Sequence, residues 1–99
     1  LAGAGEQVES VAAGGAPAAG LAAGAPRGLA VPVLAGLLPA VRTRVLHRWA
    51  RDLGATPAAL SHRHVEALDA LVVDWRGQGP AYLPGGIRVI RRGTALVAE

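Results

Sequence analysis

The sequence predicts an α+β fold in which three to four short helices are followed by a short antiparallel β meander. Apolar residues recur with the helical period of about 3.6 residues in segments between Pro32 and Trp75, and with the strand period of two from Ala81 onward. The first 30 residues are instead dominated by Ala and Gly. We therefore expect an Ala/Gly-rich linker at residues 1–30 and one small domain at residues 31–99.

The N-terminal segment contains little that could fold. Residues 1–40 include 13 Ala and 8 Gly but a single basic residue, Arg27. Such small side chains bury too little apolar area to offset the ordering of the backbone, which costs ~1–2 kcal/mol per residue. A secretory signal peptide would need a basic start and a compact Leu-rich core, and the segment has neither. We expect a flexible linker and, because the chain begins at Leu1, a piece of a longer protein.

Proline and glycine mark the boundaries of the first helices. Pro32 suits the first turn of a short helix, and Pro39 ends that helix and opens a longer one that runs to Leu53. Gly54 then fits the left-handed position just past a helix end. The apolar face of the short helix consists of Val33, Leu34, Leu37 and Leu38. The apolar stripe of the longer helix consists of Val41, Val45, Leu46, Trp49 and Leu53.

A further helix is predicted after a capped turn. Thr56-Pro57 is a start signal for one helical turn that ends at Leu60. Ser61 has the character of an N-cap for a helix from about His62 to Trp75. The apolar face of that helix consists of Val65, Leu68, Leu71, Val72 and Trp75.

The C-terminal quarter of the sequence predicts three short strands. Ala81–Leu83 is the first, and the turn Pro84-Gly85-Gly86 separates it from a second strand that begins at Ile87. Arg92-Gly93 is another turn signal, and Thr94–Val97 is the third strand.

Residues suited to catalysis or metal binding are present, but their spacing does not favour either function. The chain has no Cys, so a disulfide, a thiolate metal site and a Cys nucleophile are excluded. His47, His62 and His64 could be metal ligands, but side chains at i and i+2 of a helix diverge, which favours surface histidines. Ser61, His64 and Asp69 offer the residue types of a catalytic triad, yet Ser61 is better explained as a cap. The glycine pairs lack the pattern of a phosphate loop. We predict no catalytic residue, cofactor or metal in this chain.

Arginine supplies the strongest functional signal. All ten basic residues are Arg, and nine of them lie in residues 41–99 against five acidic residues. A guanidinium group contacts phosphate through two parallel hydrogen bonds and stacks on bases. A solvated charged face without a ligand is the alternative. The predicted RNA-binding residues, on the longer helix and the second strand, are Arg42, Arg44, Arg48, Arg51, Arg88, Arg91 and Arg92.

Two other functions are compatible with these elements. Ala50, Gly54 and Leu60 have the spacing of a helix-turn-helix nucleic-acid-binding module, although the second helix would be short and poor in side chains that read base edges. A non-catalytic interaction domain is the other alternative, in which the apolar stripe around Val45 and Trp49 docks on a partner.

Three sequence segments point to a family. The first, from Leu37 to Trp49, contains Leu-Pro-x-x-Arg-x-Arg-x-Leu, and the second is His64–Leu71. The third begins with Leu-Pro-Gly-Gly at Leu83, and Arg91-Arg92 and Leu96-Val97 follow it. In that order and at that separation, the segments resemble the C-terminal portion of bacterial tRNA(Ile)-lysidine synthetases, especially the shorter actinobacterial forms. The resemblance starts near Leu34 and covers roughly two thirds of the chain.

The resemblance implies a role for the chain. The family is an ATP-dependent ligase that adenylates carbon 2 of the wobble cytidine in tRNA(Ile) and joins lysine there. ATP and Mg²⁺ bind in an N-terminal catalytic domain with a Ser-Gly-Gly-x-Asp-Ser loop that this sequence lacks, so no catalytic residue carries over. The matching Arg42, Arg44 and Arg48 would touch the tRNA or pack between domains.

From the resemblance we expect a fragment that is inactive alone and assists tRNA recognition. Its expected partners are tRNA(Ile) and the catalytic domain. Gly, Pro or Arg breaks the longest apolar stretches well short of the ~18–20 residues that a membrane span needs, so we expect no transmembrane helix and no membrane partner. With the resemblance to this family we also expect a cytoplasmic location.

Overall fold

A computed structural model describes residues 26–99. Most of the linker predicted at residues 1–30 therefore lies outside the described residues. The elements, in chain order, are β1 (Gly28–Ala30), α1 (Val31–Ala35), α2 (Pro39–Asp52), α3 (His62–Val73), β2 (Ala81–Leu83), β3 (Ile87–Arg92) and β4 (Ala95–Ala98). Three helices and one antiparallel sheet confirm the predicted α+β class.

The sheet has four strands in the order β1-β4-β3-β2, one more than the sequence predicted. The additional strand, β1, pairs antiparallel with β4 and places Leu29 opposite Leu96. Gly28 and Ala30 give no alternating pattern on either side of Leu29, so only the pairing with a distant segment makes this strand recognisable. Leu29 is nonetheless 1% exposed, which makes β1 a contributor to the core.

All three helices lie on one side of the sheet or on one another, which leaves the opposite sheet face uncovered among the described residues. Helix α3 packs on β2 and β3, α1 packs on β1, and α2 packs on α3. The core between these elements is apolar, and its largest fully buried side chains are Trp49, Leu29, Leu34, Leu46, Leu68, Leu71, Leu96, Val45 and Val89. Within residues 26–99, no helix has the length and apolar character that a membrane span requires.

The apolar stripe predicted for α2 is confirmed as its core-facing side. Val45 and Trp49 are each 1% exposed, and Val41 and Leu53 pack at the margin of the core. The indole Nε1 of Trp49 donates a hydrogen bond of 2.7 Å to the carbonyl oxygen of Pro26, so its polar atom is satisfied. Gly54 follows the helix end with φ at +115°, as its predicted left-handed position requires.

Two predicted helix ends were wrong. Helix α1 ends at Ala35, well before Pro39. Of its predicted apolar face, Leu34 is buried and Leu37 packs against the core, whereas Val33 and Leu38 are exposed. Helix α3 ends at Val73 because Asp74 leaves helical geometry at φ −136° and ψ +46°. Trp75 therefore lies beyond the helix and is 41% exposed instead of belonging to the apolar face.

The Leu-Pro-Gly-Gly turn between β2 and β3 has a geometric explanation. Gly85 and Gly86 have φ at +90° and +75°, a backbone conformation that residues with side chains rarely adopt. A Cβ atom on Gly85 would lie 3.6 Å from the carbonyl oxygen of Gly54, so the turn sits against the end of α2. The motif thus lies where the meander meets the end of the helix that carries four of the arginines.

Candidate nucleic-acid interface

The predicted RNA-binding arginines divide into two that point into the protein and five that point outward. Arg42 is the most buried of them, with 7% of the residue exposed. Its Nε donates to Asp69 Oδ1 on α3 at 2.5 Å, and its Nη1 donates to the carbonyl oxygen of Leu37 at 3.2 Å. The Arg42 guanidinium therefore joins α2 to α3 and to the chain before α2.

Arg91 is the second inward arginine and caps helix α3. Its Nη1 donates to the carbonyl oxygen of Leu71 at 2.9 Å, and its Nε donates to that of Gly93 at 2.9 Å. The guanidinium carbon also lies 5.4 Å from the centre of the Trp75 ring. A cation at the C-terminal carbonyls of a helix interacts favourably with the helix dipole, so Arg91 has a structural task.

Three outward arginines form a basic ridge on α2, which we define as Arg44, Arg48 and Arg51. Their spacing of i, i+4 and i+7 places them on one face of the helix, opposite the buried stripe. Arg48 lies 3.8 Å from the carboxylate of Asp52. Arg44 and Arg51 are exposed and make no ion pair within residues 26–99. The basic ridge thus presents guanidinium groups to solvent.

A shallow groove borders the basic ridge, between α2 and the first turn of α3. Its lining includes Arg44, His47 and His62, with Val65 and Thr43 beneath them. The Thr43 hydroxyl donates to the carbonyl oxygen of Pro39 at 3.0 Å and is therefore occupied within its own helix. The groove therefore places the hydrogen-bonding groups of His47 and His62 beside the basic ridge. The spacing of these residues in the sequence had indicated only that they are surface histidines.

The two outward arginines of β3 share one acid. Arg88 pairs with the carboxylate of Glu99, and Arg92 Nη2 lies 3.2 Å from Glu99 Oε2. The hydrogen bond and the negative charge of Glu99 raise the pKa of Arg88 above its usual value, so the guanidinium keeps its charge. These two side chains lie on the uncovered sheet face, whereas the basic ridge lies on a helix from the other side of the sheet.

The uncovered sheet face also exposes the single tyrosine of the chain. Tyr82 on β2 lies directly opposite Arg88 on β3 and is 66% exposed. Ile90 and Val97 pair across β3 and β4 on the same face and are half-buried. Tyr82 was not predictable as part of a site from the sequence, because it belongs to a strand of three residues and its neighbours come from elsewhere in the chain.

Most of the groups weighed as catalytic or metal-binding are held in local contacts, Ser61 and His64 with each other in the cap of α3. The Ser61 N–H donates to His64 Nδ1 at 2.9 Å, which confirms Ser61 as the start of α3. Asp69 is bound by Arg42, and His62 lies 3.1 Å from Glu66 one turn along α3. In the described part of the chain, no three His or acidic residues are grouped as a metal ion would require.

The structure does not support the features that suggested a helix-turn-helix module or a docking domain. Residues 57–59 form only a turn, and the next helix begins at His62, so no recognition helix follows Gly54 at helix-turn-helix spacing. Pro57 opens that turn, and the cap at Ser61 starts a separate helix. The stripe around Val45 and Trp49 is buried in the core and is therefore not a docking surface.

Taken together, these features define a small α+β domain with two arginine-bearing surfaces among residues 26–99. The family profile described as the TilS substrate-binding domain matches residues 29–95. The chain belongs to this family. No solved structure matches it at a significant level.

The most similar relatives that we compared carry one name, tRNA(Ile)-lysidine synthase. The protein from Salinispora tropica is 70% identical over 71 residues, which is 72% of this chain and 21% of that protein. The protein from Streptomyces coelicolor is 47% identical over 70 residues, or 71% of this chain and 20% of that protein. A relative from Mycobacterium tuberculosis H37Rv is 35% identical over 91 residues, or 92% of this chain and 26% of that protein. The chain spans about a fifth of the length of the first two.

Proposed function

We propose that this chain is the tRNA-recognition part of a tRNA(Ile)-lysidine synthetase, and that the basic ridge of α2 contacts the phosphate backbone of tRNA(Ile). One observation carries the proposal. In a domain of the TilS substrate-binding family, Arg44 and Arg51 stand exposed on one helix face with no acidic partner among residues 26–99. The RNA role predicted for the arginines thus stays a prediction, now narrowed to those that point outward.

The geometry of the basic ridge suits a phosphate backbone. From Arg44 to Arg51 the helix rises by about 10 Å at 1.5 Å per residue, so the guanidinium groups can follow several successive phosphates. Each guanidinium offers donors in a planar fork that matches phosphate oxygens. Because Arg44 and Arg51 have no ion pair to break with any residue from 26 to 99, RNA binding costs them little beyond side-chain ordering.

In this proposal the ligase reaction takes place in the part of the enzyme outside this chain. The family resemblance assigns to that part the activation of the wobble cytidine by ATP and the attachment of lysine. Residues 26–99 offer no cluster of acidic or His side chains for a metal ion, so ATP and Mg²⁺ belong to the catalytic domain in this proposal. The partners of the chain are then that catalytic domain and tRNA(Ile), its location is the cytoplasm, and the chain alone is inactive.

The proposal is tested by measuring how the 99-residue chain binds a tRNA(Ile) transcript. Fluorescence anisotropy at low salt is expected to show binding that weakens steeply as salt is added, because phosphate contacts release counterions. The variant Arg44→Gln/Arg51→Gln is expected to bind at least about tenfold more weakly, since each lost charge-assisted hydrogen bond is worth ~1.5–3 kcal/mol.

A matched control removes the same charge elsewhere. Arg27 and Arg76 are exposed and lie outside the basic ridge, so Arg27→Gln/Arg76→Gln is expected to reduce affinity only slightly. Equal losses in both double variants would show that net charge, not the ridge, governs binding. No binding of the tRNA at low salt would contradict the proposed function. A preference for a particular DNA duplex would favour a DNA-binding module instead.

A further inference from the structure

We propose that the uncovered face of the sheet is a second RNA site that takes unpaired nucleotides, with one base stacked on Tyr82 and its phosphates held by Arg88 and Arg92. This inference rests on the proposed function and extends it, because it names a separate surface and the part of an RNA that fits it. We call this surface the sheet platform, and define it by Tyr82, Arg88, Ile90, Arg92 and Val97.

The sheet platform is formed by side chains that alternate outward along adjacent strands. Arg88, Ile90 and Arg92 project from one face of β3, while Val89 between them is 0% exposed in the core. Tyr82 lies opposite Arg88, and Val97 lies opposite Ile90. Tyr82 and Val97 are two strands and two residues of register apart, so with neighbouring strands about 4.8 Å apart they lie roughly 12 Å from each other, which is wide enough for a base and its ribose.

The surface is flat on the side that faces β1. Strand β1 contributes only Gly28 and Ala30 to this face, since Leu29 points into the core. No large side chain on β1 therefore obstructs a planar ligand. Tyr82 exposes 66% of its surface, more than a tyrosine needs to place its hydroxyl in water.

The chemistry of the sheet platform fits nucleic acid better than an apolar protein surface. An exposed aromatic ring and flanking guanidinium groups are the combination on which unpaired bases stack and phosphates bind. The carboxylate of Glu99 shows where a phosphate group would bind, because it accepts hydrogen bonds from both Arg88 and Arg92. A phosphate group carries the same charge and the same kind of acceptor oxygens.

Bases inside an RNA duplex cannot make the stacking contact of this surface. They are stacked on their neighbours, and stacking on Tyr82 requires a base that has left them. The basic ridge, in contrast, needs only phosphates and accepts a duplex. The two surfaces therefore predict different responses to paired and unpaired RNA.

The experiment titrates the 99-residue chain with an oligouridylate of about ten nucleotides, within the ~4–16 nucleotide site size of such platforms. A blunt RNA duplex and the tRNA(Ile) transcript serve as comparisons. Tyr82 is the only tyrosine in the chain, so its ring resonances are identifiable by NMR. Oligouridylate is expected to shift those resonances upfield through the ring current of the stacked base, whereas the duplex leaves them unchanged.

Two substitutions separate stacking from folding. Tyr82→Phe keeps the ring and is expected to bind oligouridylate within about twofold of the unmodified chain. Tyr82→Ile keeps strand propensity without a ring and is expected to lose at least about fivefold, the lower end of measured stacking contributions. Binding of the duplex is expected to be equal in both variants.

Each contrary outcome has a distinct meaning. If tRNA and duplex bind but oligouridylate does not, the sheet platform is wrong and the proposed function stands. If oligouridylate binds without moving the Tyr82 resonances, or Tyr82→Ile binds as well as Tyr82→Phe, the bound strand lies elsewhere and the inference is also wrong. If none of the three RNAs binds, the proposed function fails together with it.

Discussion

Helix α2 and strand β3 carry all seven arginines that the sequence predicted to bind RNA, and the side chains have different partners on the two elements. Each has one inward arginine with a structural partner, Arg42 on Asp69 and Arg91 on the end of α3. The outward arginines differ. Those of α2 include side chains without an acidic partner among the described residues, whereas those of β3 share Glu99.

This difference shows that a count of arginines overstates the surface available to RNA. The inward pair stabilises the fold, and only the outward set can reach a ligand. On α2 that set forms a line of charge suited to phosphates, while on β3 it stands beside Tyr82. In the two proposals, the same residue type would therefore make two kinds of RNA contact, depending on whether it lies on a helix or on a sheet.

The largest effect is expected from breaking the Arg42–Asp69 pair. Arg42→Ala leaves Asp69 without its partner in a site where the Arg42 side chain is 8% exposed, so the free energy of unfolding should fall by about 3 kcal/mol. Urea unfolding of the 99-residue chain measures it. Arg44→Ala, on the same helix but facing outward, should change stability by less than ~0.5 kcal/mol.

A double substitution sharpens this test. Arg42→Met/Asp69→Leu replaces both charges by apolar groups of similar size, which is often close to neutral for a buried pair. Its stability should be well above that of Arg42→Ala, and its tRNA affinity should match that of the unmodified chain. A stable double variant with lost affinity would mean that Arg42 contacts RNA after all.

A smaller loss of stability is expected from removing the inward arginine of β3. Arg91→Ala removes the hydrogen bonds to the end of α3 and the contact with Trp75, and should lower the free energy of unfolding by ~1–2 kcal/mol. Thermal unfolding followed by circular dichroism measures the change. Arg92→Ala is the control, because its exposed pair with Glu99 should contribute less than ~1 kcal/mol. Equal losses in the two variants would remove the distinction between inward and outward arginines on this strand.

The smallest effect concerns Glu99. Glu99→Gln removes the negative charge between Arg88 and Arg92 and frees their donors for phosphate, so the affinity for oligouridylate should rise about threefold. Affinity for a duplex should change less, because the basic ridge has no contact with Glu99. Weaker binding of oligouridylate would indicate that Glu99 positions the arginines instead of competing with the ligand.

The sequence was sufficient to predict the features that depend on local hydrophobic periodicity and on capping and turn residues. The stripe that contains Val45 and Trp49, the cap at Ser61 and the turn at Gly85-Gly86 all follow from residue type and spacing. Strand β1 did not, because Gly28–Ala30 acquires its conformation only by pairing with β4, far along the chain. The opposite directions of Arg42 and Arg44 follow from the same periodicity, because Arg42 lies four and seven residues before Leu46 and Trp49 of the buried stripe. The partner of Arg42 did not follow from the sequence, because Asp69 lies on another helix.

The most direct test of the division among arginines is the salt dependence of tRNA binding by the 99-residue chain. The slope of the logarithm of affinity against the logarithm of salt concentration reports the number of phosphates neutralised. We expect the slope of Arg44→Gln/Arg51→Gln to be smaller in magnitude by about 1.5, and that of Arg42→Met/Asp69→Leu to be unchanged. An unchanged slope for Arg44→Gln/Arg51→Gln, or a reduced slope for Arg42→Met/Asp69→Leu, would contradict the assignment of outward arginines to RNA and inward arginines to the fold.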